Sequence, residues 1–186
     1  MEQVPNTTKR EVPIMKLLSS FAFLFSMLIA GACNAQQFWQ GTTYGMTPDE
    51  VAAVVTGVVK PQKLSTLGTG ATELLTLPEL ELVGNKFAVH FYFKGDRLDQ
   101  VTISLASENE SFSRTSSIFE SLKEALKVRY GAGSEKPEQR GLLRVREASW
   151  QSDRTNITLF TMAVRDSPAL LNVIYQVRVA ATADKL

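Results

Sequence analysis

Between positions 86 and 94 the chain alternates with a period of two. Phe87, Val89, Phe91 and Phe93 fall on one side, and Ala88, His90 and Tyr92 fall on the other. Such alternation predicts a half-buried β-strand. Val101, Ile103 and Leu105 continue the pattern in the next segment. Leu171, Val173, Tyr175, Val177 and Val179 repeat it near the C-terminus. Glu73 to Val83 is β-prone but interrupted by Pro78, which has no amide hydrogen to give to a ladder and predicts an edge position or a bulge. Leu142 to Trp150 and Thr155 to Ala163 read as two further strands.

Two segments switch to helical spacing. Val51, Val54, Val55 and Val58 form one stripe, and Ile118, Phe119, Leu122, Ala125, Leu126 and Tyr130 form a second. The first opens on Thr47-Pro48-Asp49-Glu50, a capping box with proline at the first helical position. Met46 and Val51 have the spacing of a hydrophobic staple. Gly57 is a candidate stop. The second helix follows a serine-rich linker, Glu108 to Ser117, and stops at Gly131, with Gly133 and Pro137 beyond. Lys123, Glu124, Lys127 and Arg129 take its water side.

The turns can be tested by register. Closing a hairpin at Gly84-Asn85 sets Leu82 opposite Phe87 and Leu80 opposite Val89, apolar against apolar. At Lys94-Gly95-Asp96-Arg97 a plain two-residue loop would oppose Phe91 to Gln100. An odd-length loop or a bulge is therefore expected there, with Phe91 opposite Val101 and Val89 opposite Ile103. The element order is then helix, three strands, helix, three strands. The expected class is α+β: two helix-plus-three-strand units, at about 38–106 and 111–180, with the helices on one face of an antiparallel sheet. They share a single domain, 36–186.

The chain has 186 residues, of which 44% are hydrophobic and 21% charged, and a formal net charge of +1. That charge supplies no field for nucleic acid. The N-terminus reads as targeting sequence. Met15-Lys16 is a short basic start, Leu17 to Ala30 is an apolar run interrupted by serines, and Gly31 to Ala35 is a small-residue cleavage region. Residues 1–14 read as an upstream extension and 15–35 as a signal peptide. The apolar run falls short of the roughly 20 residues of a membrane span. Two processing readings remain open. Cleavage after Ala35 gives a soluble, cysteine-free chain of balanced charge. Ala30-Gly31-Ala32-Cys33 resembles a bacterial lipobox, which makes Cys33 a candidate lipidation site and lipid anchor. Either way the protein is expected to be exported, periplasmic or secreted in one case and an outer-membrane lipoprotein in the other.

Tyr44-Gly45-Met46-Thr47-Pro48-Asp49-Glu50-Val51 resembles the helix start of small envelope proteins of the BamE/SmpA type. The Phe/Tyr-rich hairpin, the helix ending Arg129-Tyr130-Gly131, and Trp150 followed by Thr155-Asn156-Ile157-Thr158-Leu159 extend the likeness. Together they resemble tandem versions of that unit, as in β-lactamase-inhibitor-like secreted proteins, over most of residues 38–179. The resemblance implies helices on an antiparallel sheet and a role in protein–protein contact. It carries over no catalytic residues and no cofactor.

The candidate chemistry is sparse. His90 is the only histidine and Cys33 the only cysteine, which argues against a zinc site with several N or S ligands. No nucleophile elbow or Gly-rich phosphate loop accompanies them. Asp96/Asp99 and Glu108/Glu110 are carboxylate pairs for a carboxylate-dependent hydrolase, against a reading as solvated loop charge. Arg140, Arg144, Arg146 and Arg154 surround Trp150 in sequence. Strict alternation puts Trp150 with Arg144 and Arg146 on an exposed face and turns Glu147 and Ser149 inward, unless a bulge intervenes. Tryptophan is highly buried on average, so Trp150 is expected in the core. The face opposite the phenylalanines is expected to stay open, with Tyr92 as the anchor of a protein-binding surface and His90, Gln100 and Thr102 beside it. The expected function is a non-enzymatic binding module of the envelope with a protein partner. The alternatives are an outer-membrane assembly lipoprotein lipidated at Cys33, or the hydrolase.

Overall fold

The computed structural model describes Met1 and residues 37–139 and 141–178. Apart from Met1, the upstream and signal segments lie outside the described residues, as do Cys33, Arg140 and Val179. Two helices and seven strands follow: α1 (Pro48–Val54), β1 (Thr72–Leu82), β2 (Asn85–Lys94), β3 (Arg97–Leu105), α2 (Phe112–Tyr130), β4 (Ser134–Gln139), β5 (Leu143–Ser152), β6 (Thr155–Val164) and β7 (Leu170–Val177). No described helix is long and apolar enough to cross a membrane.

The strands form one antiparallel sheet in the order β1-β2-β3-β7-β6-β5-β4. This corrects the expected α+β arrangement of two helix-plus-three-strand units. The fold is predominantly β. β3 pairs directly with β7, Val101 opposite Tyr175 and Ile103 opposite Val173, so the two halves share a continuous ladder rather than each closing its own core. The second half has four strands, because Ser134–Gln139 pairs with β5. The sequence shows that segment as a polar tail around a proline. Pro137 sits on the sheet edge, at the register break between Lys136 and Gln139, where its missing N–H costs no ladder bond.

The helices are unequal. α1 has 7 residues and the predicted cap: Glu50 N–H donates to Thr47 Oγ1, and the Glu50 carboxylate accepts from Thr47 N–H at 2.8 Å. It ends well before Gly57, since four valines at helical spacing are poor helix formers. Val51 and Val55 are buried while Val54 is exposed. α2 has 19 residues and begins at Phe112, inside the expected linker, with Ser111 as N-cap. The segment before α1 plugs the core: Phe38 and Trp39 are buried, with Trp39 against Phe91 at 6.3 Å between rings.

Cross-strand rows show how one face becomes the core. Leu75, Phe91, Val101, Tyr175, Ile157 and Trp150 lie opposite one another across six strands. Leu77, Val89, Ile103, Val173, Leu159 and Ala148 form the neighbouring row. Ile118, Phe119, Leu122 and Leu126 of α2 and Val51 of α1 join the same cluster. Pro78 sits in the register break of β1, an edge strand, as expected. At the second hairpin a two-residue loop is followed by a bulge between Tyr92 and Phe93, which restores Phe91 opposite Val101 as the apolar pattern requires.

The first hairpin differs from its expected register. The loop is Val83-Gly84, with Leu82 opposite Asn85 and Leu80 opposite Phe87. Both loop residues have positive φ, 46° and 70°, as a type I′ turn demands. Asn85 stabilises the turn from outside it by donating to Val83 O at 2.8 Å. A β-branched residue in left-handed conformation costs about 1–2 kcal/mol. Val83→Asn is therefore expected to stabilise the fold by about 1 kcal/mol, read as a raised denaturation midpoint at constant slope. A lowered midpoint would contradict the turn assignment.

Candidate functional site

Both helices pack on the phenylalanine face, so the opposite face of the sheet carries neither. Its rows can be followed across the molecule. Thr76, His90, Thr102, Ile174, Thr158, Ser149 and Ser134 are successive partners across all seven strands. One row beyond, toward the β5–β6 turn, run Glu73, Tyr92, Gln100, Gln176, Asn156 and Gln151. On the other side the face becomes apolar, through Phe160, then Leu170, Met162 and Val145, to Val164 opposite Leu143. Leu143, Val164 and Leu170 are exposed.

All four residues expected from sequence meet on this face. His90 opposes Thr102, and Tyr92 opposes Gln100. Their environment is less open than expected. Tyr92, Gln100 and Thr102 are buried, at 8%, 4% and 7% exposure, and only His90 is half-buried. Tyr92 therefore cannot be an exposed anchor. Its hydroxyl lies 3.3 Å from Ser65 Oγ. The loop bearing Ser65 is tied to the edge of the sheet by the Glu73 N–H to Ser65 O bond and by the pairing of Val59 with Thr76.

The buried centre of this corner is Glu73, a residue sequence reasoning passed over inside a β-prone run. His90 Nδ1 lies 2.7 Å from Glu73 Oε1, and Ser65 Oγ donates to Oε2 at 2.7 Å. Burial is the largest influence on the carboxyl and pushes its pKa up. The bonds from His90 and Ser65, with the imidazole charge, outweigh it and hold Glu73 below the usual glutamate value. Burial likewise raises the Tyr92 phenol, with the Glu73 charge adding to it against the Ser65 bond. Gln176 Nε2 donates to Gln100 Oε1, and Gln100 Nε2 donates to Thr102 Oγ1 at 2.8 Å, so the two amides run as a chain along the face.

The lowered Glu73 value has a signed consequence. A carboxyl with depressed folded pKa contributes stability that is fully present above its unfolded value, and loses it as the pH falls through the folded value. Glu73→Gln should therefore remove part of the acid dependence of stability below the ordinary glutamate pKa of 4.5. Denaturation midpoints of both proteins from neutral to acid pH check this. An unchanged acid slope would contradict it.

Trp150 is in the core as expected, and alternation through β5 holds without a bulge, because the face it shares with the arginines is the covered one. Trp150, Arg146 and Arg144 share the covered face, and Leu143, Val145, Glu147 and Ser149 the other. Trp150 is buried and donates Nε1–H to Gly131 O at 3.0 Å. The arginines tuck under α2. Arg144 lies over the Phe112 ring at 4.1 Å and Arg146 over Phe119 at 4.6 Å. Arg146 also pairs with Glu120 and Glu135, which share Lys123. These two carboxylates meet only across cations that neutralise them, an arrangement of a surface ion network rather than of an acid–base pair.

Nothing in this geometry assembles a nucleophile with an oriented base. The Glu73 carboxylate engages both the only histidine and the nearest serine, which leaves Ser65 donating to the acid rather than to the imidazole. Among the described residues no group of three or more His, Cys, Asp and Glu side chains could hold a metal ion. The arrangement instead fixes the shape of a sheet face, polar at one end and apolar at the other. No family model matches the chain, and neither a curated protein nor a solved structure matches it.

Proposed function

We propose that the protein is a non-enzymatic binding module of the bacterial envelope that holds a protein partner on the sheet face opposite its helices. The observation that carries this reading is the apolar end of that face. Leu143 and Val164 oppose each other there at 41% and 53% exposure, next to Met162, Val145 and Leu170. Exposed apolar side chains in register on a rigid sheet form a contact patch rather than scattered surface leucines. The His90–Glu73–Ser65 corner, centred on the buried Glu73, and the Gln176–Gln100–Thr102 chain stiffen the other end, so the face is shaped before contact. Pre-organisation of that kind lowers the ordering cost of association. The likeness to BamE/SmpA-type and β-lactamase-inhibitor-like proteins points the same way, and the signal-like N-terminus supports export.

Site-specific photo-crosslinking in the native envelope tests the proposal. A photoreactive side chain in place of Val164 should yield a discrete protein adduct. The same group at Glu124, on the outer side of α2, should not. Equal yield from both positions, or none from Val164, would contradict the assignment of this face.

A further inference from the structure

β1 is an edge strand, yet the first part of its outer edge is not bare. The segment 59–71, between α1 and β1, runs back along it as a strap. Val59 N–H donates to Thr76 O and Thr76 N–H to Val59 O, both at 2.8 Å, Glu73 N–H donates to Ser65 O at 2.9 Å, and Thr66 bridges to Thr72. Covering an edge in this way blocks its pairing with another chain. The strap has little apolar hold on the sheet. Of residues 60–70 only Pro61 and Leu67 are half-buried, and the others are exposed, Leu64 at 64%. Segments held by few buried contacts open at low cost, independently of the rest of a fold. From the sheet, the buried Glu73 carboxylate grips the strap through Ser65, with an exposed contact between the Thr66 and Thr72 hydroxyls beside it.

We propose that the strap is an acid-released latch: Glu73 as a carboxylate closes it over the edge of β1, and protonation of Glu73 opens it and frees that edge. A carboxylate only accepts hydrogen bonds, so Ser65 Oγ–H and His90 Nδ1–H both donate to Glu73 in the closed state. A proton on Oε2 meets the Ser65 hydroxyl and forces it to turn. A proton on either oxygen removes the charge that makes both bonds strong. The groups facing Glu73 do not replace that charge. From β2 come His90 and the neutral phenol of Tyr92, which stands directly opposite, and beyond Tyr92 on β3 is the amide of Gln100. From the strap comes Ser65, while Lys60 and Lys63 make neither a hydrogen bond nor an ion pair with Glu73. With the latch closed, Glu73 is held below the ordinary value of 4.5, and it returns to that value in water when the strap lifts. The open form therefore takes up a proton more readily, and acid shifts the balance toward it as the pH falls below 4.5. The latch sits at the far edge of the sheet from Leu143 and Val164, so it acts independently of the proposed protein-binding patch.

Amide hydrogen exchange, compared at neutral pH and at about pH 3.5, tests the latch. Protection factors, which remove the intrinsic pH dependence of exchange, should fall about threefold or more in acid at Val59, Glu73 and Thr76. They should hold at Val101 and Ile103, in the middle of the sheet. In Glu73→Gln, which is neutral throughout, protection at the three strap amides should already be reduced at neutral pH and fall no further in acid. Ser65→Ala, at an exposed position that leaves the core untouched, should loosen the same amides at neutral pH with Val101 and Ile103 unchanged. Full strap protection in Ser65→Ala, an equal acid fall in Glu73→Gln, or a parallel fall at Val101 and Ile103 in the wild type would overturn the proposal. So would the absence of any acid fall at Val59, Glu73 and Thr76.

Discussion

Trp150→Ala should destabilise the protein by about 3–5 kcal/mol, the usual cost of truncating a buried aromatic to alanine. Three contributions converge on this one side chain. The ring is buried in the main core, opposite Ile157 and in line with Tyr175 and Val101. Its indole N–H satisfies Gly131 O at the end of α2, so truncation also leaves a helix-terminal carbonyl without its partner. It lies on the wall of a cleft of about 240 Å³ beside Gly133 and Ala148, so the space it vacates is open to enlargement rather than to collapse. Urea denaturation followed by circular dichroism measures the loss. A change below about 1 kcal/mol would be that of an ordinary surface substitution and would contradict the burial of Trp150.

Gly133→Ala is expected to be the second most damaging change, at about 1–3 kcal/mol for forced overpacking. A Cβ at that position would stand 2.5 Å from Trp150 Cε2, 2.6 Å from its Nε1 and 2.9 Å from Ser149 O. Neither neighbour yields easily: the ring is locked in the core, and the carbonyl belongs to β5. The glycine is required here by close approach and not by its backbone angles. The cost should fall when the ring is absent. Gly133→Ala in a Trp150→Ala background should destabilise by less than in the wild type, a coupling that a double-mutant cycle reads directly. Strictly additive losses would show that the two residues do not touch.

Local signals in the sequence were legible where one residue has one job. Thr47, Pro48 and Glu50 form the cap that their order predicts. Pro78 marks an edge strand with a register break, and the apolar rows decide the pairing of Phe91 with Val101 despite a two-residue loop. What escaped was decided by distant partners. Val55 and Val58 carry helical spacing, yet α1 ends at Val54, because four valines without a longer packed surface do not extend it. Ser134–Gln139 lacks any strand signature and becomes a strand because β5 would otherwise be a bare edge. Trp150 shows the limit of alternation. The period identifies which residues share a face, but only the position of α2 decides which face is covered, and the aliphatic stems and planes of Arg144 and Arg146 are compatible with lying under a helix. At the candidate site, sequence brought His90, Tyr92, Gln100 and Thr102 to one face. It missed Glu73 and Ser65, whose contacts with His90 depend on a loop returning to the sheet edge. The only hint was an acidic residue at a strand start, and any β-prone run has several of those.

If the sheet face opposite the helices holds the partner, as proposed, charge placed on its apolar end should abolish binding. The most direct measurement is the affinity of the partner crosslinked at Val164 for the double variant Leu143→Asp, Val164→Asp. These side chains are exposed and oppose each other, so the fold tolerates the change while the contact patch gains two unpaired charges. Affinity should fall at least about a hundredfold, with a melting temperature near that of the wild type. Wild-type affinity in this variant would rule out this face as the docking surface.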